Sequence, residues 1–180
     1  MLEKPAQTSK PIHELLARRW SPRAFDPKRP VSREHLKVLL EAGRWAPSCN
    51  GDEPWRYLIW DRGRDPQGWQ KAFDCLSDNN KKWVKNVPLL MLSCAGSVFG
   101  ATGKPNRWTQ HDTGAASVSM ALQAARALST SQPPIWCTIR RSRGQEEGAH
   151  AAREKTARGT VFRGRLGEGR HWVTPMMNAE

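Results

Sequence analysis

The sequence predicts an α+β fold from two kinds of observation. Segments with a helical apolar period stand at residues 11–20 and 31–45, a helix dense in small residues stands at 109–125, and segments of strand length stand between the last two at 55–61 and 88–95. The 180 residues are enough for one domain with a sizeable core. No apolar run reaches the roughly 18 residues of a membrane span. The polar stretch Met1–Lys10 also lacks the apolar region of a secretory leader. The four cysteines, Cys49, Cys75, Cys94 and Cys137, are widely spaced and form no C-x-x-C pair. This argues against a metal site or a disulfide framework and for reduced thiols in a cytoplasmic protein.

Each element has its own signal. In Pro11–Trp20, Ile12, Leu15, Leu16 and Arg19 recur at helical spacing, with the aliphatic stem of Arg19 closing the stripe. Pro22 restricts Ser21 and ends that helix. Ser32 has the chemistry of an N-cap for a second helix, although the position a capping box would make acidic is His35. Leu36, Leu39, Leu40 and Gly43 line one face as far as Trp45, before Pro47. Residues 46–54 are a loop by composition. Trp55–Asp61 is a strand with Tyr57 and Ile59 on one face. A polar turn, Asp61–Gly68, leads to a helix over Trp69–Ser77. Asn79–Val87 is polar and lysine-rich and is assigned no element. Pro88–Ala95 suits a central strand. Gly96–Asn106 is a loop, and Thr109–Ala125 is a helix dense in small residues, able to pack closely on another helix or subunit. From Arg126 to His150 neither a helical nor a strand period fits, and the composition resembles a disordered segment.

The formal charge is +12. A basic balance suits phosphate groups, nucleic acid or acidic membrane. Residues 126–180 hold ten Lys+Arg, nine of them Arg, against five Asp+Glu. No helix-turn-helix, zinc-finger or RNA-binding motif accompanies this charge, which argues against a nucleic-acid-binding protein. Gly100-Ala101-Thr102-Gly103-Lys104 has the wrong spacing for a phosphate loop and is followed by Pro105. Two other stretches carry candidate chemistry. In Arg19-Trp20-Ser21-Pro22-Arg23, two guanidinium groups flank a hydroxyl and make a phosphate cradle. The same residues also fit an exposed basic helix end. In the loop before the strand, Ser48, Asn50 and Glu53 offer hydrogen bonds to a polar heterocycle, or belong to an ordinary helix-to-strand connection.

In this order and spacing the motifs say more. Arg-Trp-Ser-Pro-Arg-Ala-Phe-Asp-Pro at 19–27 is followed by Ala-Pro-Ser at 46–48 and Pro-Trp-Arg at 54–56. Then come Asn80-Lys81-Lys82-Trp83 before Asn86–Leu92, and His111–Ala116. Over residues 11–125 the chain resembles the FMN-dependent nitroreductase family. The resemblance implies a three-layer sandwich with a mostly antiparallel central sheet. It implies that Arg19, Ser21 and Arg23, with Trp20 between them, hold the FMN phosphate and ribityl chain. Pro47, Ser48 and Asn50 would lie against the flavin ring. Glu53 stands where the family often has Gln, and an ionised carboxylate only accepts hydrogen bonds. Asn80 best matches a flavin-contacting Asn, with Asn79 one residue off register. The flavin carries the hydride from NADH or NADPH to a nitroaromatic, quinone or similar small-molecule acceptor, so no catalytic side chain and no metal are expected. His13, His35 and His111 are then structural or surface residues. Family members are homodimers with FMN at the interface, which places helix 109–125 in the dimer core.

The likeness is strong over 11–125 and weak again over 153–167, which divides the chain into a family-like part at 1–125, a divergent segment at 126–152 and a weakly family-like tail at 153–180. In the tail, Arg153 and Lys155 match a basic pair that completes the phosphate site, followed by a strand and turn at Val161-Phe162-Arg163-Gly164. The abrupt loss of periodicity after Ala125 motivates the expectation of a shifted reading frame, or a deletion with repair. The fold would then be incomplete in its C-terminal half, with an open sheet edge and weakened or absent activity.

Overall fold

The computed structural model describes residues 4–127, 136–139, 160–162 and 173–174. Strands β1 (Trp55–Asp61) and β2 (Leu89–Ala95) form its axis, paired antiparallel from Trp55 opposite Ala95 to Asp61 opposite Leu89. Successive strand side chains point to opposite faces, and here both faces are covered. Trp55, Tyr57, Ile59, Leu89 and Met91 pack in one cluster with Leu36, Ala116 and Met120. These last three come from α2 (Arg33–Arg44) and α5 (Thr109–Ala127). Trp60 and Leu90 pack in a second cluster with Trp69, Ala72 and Val84, supplied by α3 (Pro66–Asp74) and α4 (Asp78–Val84). The result is the three-layer α+β sandwich expected of the sequence.

The sheet extends outward from this pair in the order β3-β2-β1-β4-β5. Strand β4 (Thr160–Phe162) lies antiparallel to β1, and β5 (Val173–Thr174) antiparallel to β4. Strand β3 (Trp136–Ile139) runs parallel to β2, Leu89 opposite Trp136. The sheet is therefore mostly antiparallel with one parallel pair. Strand β3 corrects the expectation that 126–150 lacks regular structure. Four residues are too few to display a period, and parallel strands need no polar alternation.

Three helical assignments also change. Helix α1 is only Glu14–Arg18, not Pro11–Trp20: none of its residues is buried, and Ile12 and Leu16 stay exposed. It lies against α5, but with Leu15 and Ala17 only half-buried so short a helix gains little from its apolar stripe. Helix α3 starts earlier than Trp69, because Asp65 caps it by accepting the Gly68 N–H and Pro66 fills its first turn. Helix α4 occupies the lysine-rich stretch left unassigned; its buried Val84, with Val87 just beyond, anchors it under the sheet. Helix α2 is capped as expected, Ser32 Oγ accepting the His35 N–H at 3.1 Å. It packs on α5 at Gly43, where an added Cβ would meet Met120 Cγ at 3.0 Å.

Candidate functional site

Two structural units hold most of the candidate residues. The first is a pocket at the end of α1. The helix stops at Arg18, and Arg19 turns extended at φ −72°, ψ 123°. The last carbonyls of a helix lack partners within it. Here the Ala6 N–H, from the N-terminal arm, donates to the Ala17 carbonyl at 2.8 Å. The arm and the post-helix segment thus enclose an open pocket of about 550 Å³, lined by Lys4 to Gln7 and by Arg19, Trp20 and Ser21. Arg19 Nη1 donates to Ser21 Oγ at 3.4 Å, so the serine oxygen accepts and its own proton is left to donate. No carboxylate lies among the described lining residues.

The second unit is the turn between α2 and β1. Three residues in it take the left-handed conformation: Asn50 at φ 55°, Gly51 at 63° and Glu53 at 48°. Such backbone is uncommon outside glycine and asparagine, so the surroundings must hold it. Ser48 Oγ accepts the Glu53 N–H at 3.1 Å and closes the turn from within. Asp112 of α5 accepts the Cys49 N–H at 3.0 Å. Asp52 accepts the Gly100 N–H at 2.7 Å and Asn106 Nδ2 at 3.1 Å, tying the turn to the loop after β2. Pro47 and Asn50 remain exposed, while Ser48 and Glu53 are half-buried.

The nitroreductase family model matches residues 16–129, well over half of the chain, and so spans both units. This chain belongs to the nitroreductase family. A solved oxidoreductase containing FMN is 34% identical to it, with a TM-score of 0.61 over 69% of this chain and 63% of that one. An FMN-dependent nitroreductase from Clostridium difficile is 25% identical, with a TM-score of 0.51 over 62% and 59%. The major NAD(P)H-flavin oxidoreductase of Aliivibrio fischeri is 31% identical over 75 residues, 42% of this chain and 34% of that protein. The chain therefore spans less than two thirds of each of these relatives.

The structure gathers only part of the set that the nitroreductase likeness implies. Arg19, Trp20 and Ser21 share the pocket. Arg23 is exposed and not among its lining residues, and no residue of the Pro47–Glu53 turn lines it. Asn80 is exposed on α4. Yet α4 is tied to the segment after Arg23, because Trp83 stacks on Phe25 with ring centroids 5.9 Å apart. Asn79 is occupied at its Oδ1, which accepts from Lys82 Nζ. Arg153 and Lys155 lie outside the described residues. The histidines sit at structural positions: His13 Nδ1 accepts the Leu15 N–H at α1, His35 pairs with Ser32, and His111 lies beside Asp112.

Asp112, Asp52 and Asn106, which tie the turn to its surroundings, carry no individual role in the sequence motifs. Asp112 is 3% exposed and shares the buried stripe of α5 with Ala116 and Met120. A carboxylate at the head of such a stripe is a legible signal, since a buried charge needs partners. Asp52 and Asn106 gave no such signal. Glu53 also has an electrostatic neighbour. The Arg44 guanidinium is held above its ordinary range mainly by donating to Glu41, and the Glu53 charge adds to that. Glu41 in turn lies below the usual carboxylate range because Arg44 Nε and Nη2 donate to its two oxygens. Among the described residues no helix is long and apolar enough to cross a membrane.

Proposed function

We propose that this chain binds FMN and passes electrons from NADH or NADPH through it to a nitroaromatic, quinone or similar small acceptor. The observation that carries the proposal is the cation-lined pocket at Arg19–Ser21, which fits a phosphate, within a chain of this family. Its relatives, an oxidoreductase containing FMN and an NAD(P)H-flavin oxidoreductase, support it. Bound FMN would supply hydride acceptance and donation at its ring. The chain's own groups bind and orient it. Arg19 faces the phosphate with its remaining N–H groups, and Ser21 donates its free proton. Arg23 adds charge beside the pocket, and the family likeness adds Arg153 and Lys155, outside the described residues, as candidates for further phosphate contacts. In the turn, Ser48 Oγ already accepts from Glu53, so its proton is available to a ring acceptor. Pro47 and Asn50 shape the surface beside the ring, Glu53 accepts rather than donates, and Asn80 donates from α4.

A homodimer is part of this reading. The outer faces of the packed pair α2 and α5 expose Val38 at 48% and Val118 at 55%, and α2 ends on Trp45 at 80%. Apolar side chains left uncovered on adjoining helices support burial against a second copy. FMN titration, followed by flavin absorbance and by nicotinamide-driven reduction of a nitroaromatic or quinone, tests the function. Arg19→Ala and Arg23→Ala should each weaken FMN by about tenfold, the scale of one charge-assisted hydrogen bond. A folded, colourless protein that takes up no FMN at saturation sinks the proposal.

A second reading is that residues 126–152 are frame-shifted and leave the product inactive. The family match ending at residue 129 supports it. Translating the encoding DNA in every frame tests it: a family-like continuation in another frame is the expected result, and none in any frame refutes it.

A further inference from the structure

We propose that the N-terminal arm is a working wall of the phosphate pocket, with Lys4 as a second cation that makes the site selective for a phosphate monoester over its uncharged parent alcohol. The inference rests on the flavin reading above and goes beyond it, because Lys4 and Gln7 lie outside every motif that carried the family likeness.

The arm is docked rather than merely adjacent. The Ala6 N–H satisfies the Ala17 carbonyl at 2.8 Å, and Thr8 Oγ1 donates to the Lys10 carbonyl at 2.8 Å, shaping the stretch behind it. That docking sets Lys4 and Gln7 in the same lining as Arg19, Trp20 and Ser21. Lys4 and Arg19 then border one open space with no carboxylate among the described lining residues. Glu14, the acid of α1, is committed to Arg18 at 2.9 Å. Two like charges facing a shared cleft raise its positive potential and favour an anion. The donor set is also that of a phosphate site. Arg offers a planar fork, Lys a compact point charge, Ser a hydroxyl proton and Gln an amide. A dianionic phosphate monoester gains most from two cations, whereas the neutral alcohol gains only the hydroxyl and amide contacts.

The test compares FMN with riboflavin, which differ only in the phosphate, on the full chain and on Lys4→Gln and Arg19→Gln, with unfolding midpoints as a control. Lys4→Gln should weaken FMN about three- to tenfold, leave riboflavin unchanged, and show a smaller deficit in high salt, as expected for a solvent-accessible ion pair. If Lys4→Gln leaves FMN binding intact while Arg19→Gln weakens it, the arm has no part in the pocket and the flavin reading survives. If Lys4→Gln weakens FMN and riboflavin alike, it acts through docking of the arm, and the selectivity is overturned. If the unsubstituted folded chain binds no FMN, both readings fall together.

Discussion

Asp112→Ala is the sharpest probe of how the turn is held. The carboxylate is 3% exposed, accepts the Cys49 N–H at 3.0 Å, and lies 3.1 Å from the His111 ring. Removing it strands a backbone donor at a half-buried position. A lost partner for a buried donor costs about 1–3 kcal/mol, and because Cys49 is only half-buried, water recovers part of this, so about 1–2 kcal/mol is expected. The His111 contact adds little, since that side chain is 79% exposed and surface pairs are worth about 0–1 kcal/mol. The functional effect should exceed the stability effect. Asn50 and Glu53 hold left-handed backbone that the turn cannot keep alone, and Asp112 is its tie to α5. With the tie cut, the turn populates other conformations, and FMN affinity should fall by about tenfold for each 1.4 kcal/mol spent on reordering it. Asp112→Asn keeps an acceptor oxygen and should recover most of both losses. Urea unfolding and FMN titration of the three proteins give the answer. If Asp112→Ala matches the parent within about 0.5 kcal/mol and binds FMN equally well, this account of the turn is wrong.

Three further outcomes are expected. Leu90→Ala empties a fully buried site in β2 facing α3 and α4, and should cost about 2–5 kcal/mol in denaturant unfolding without altering FMN affinity among folded molecules. Gly43→Leu drives a side chain into Met120, itself buried, and should destabilise by about 1–3 kcal/mol despite the better helix propensity of leucine. Burial pushes the phenol of Tyr57, the chain's single tyrosine, above its ordinary range, opposed by its hydrogen bond to Ser117. The folded form therefore holds the proton more tightly than the unfolded. That stability is fully present below the ordinary tyrosine value of about 10 and is lost as pH rises through the folded value. Tyr57→Phe should flatten this alkaline limb when unfolding midpoints are compared from about pH 9 to 11.

Much of the fold was local information. The Ser32 cap, the apolar face of α2, the two apolar strands and the small-residue helix α5 each follow from neighbours within a few residues, through backbone period and capping chemistry. The Arg19–Ser21 cluster was legible for the same reason: its residues are consecutive. Helix α4 was not, because its chain is polar and only burial of Val84 and Val87 beneath β2 makes it a helix in this place. The Asp65-Pro66 start of α3 was a readable signal, hidden by its likeness to a turn.

What the sequence by itself determined is the local conformation of α2, β1, β2 and α5 and the family motifs. The tertiary structure alone decided that β3 lies parallel to β2, that Asp112 and Asp52 hold the turn, and that Lys4 and Arg19 line one pocket. These are contacts between groups far apart along the chain: Cys49 and Asp112 are separated by 63 residues. A single sequence carries no periodic trace of such pairs, because they arise only once the layers close and each buried polar group must find a partner.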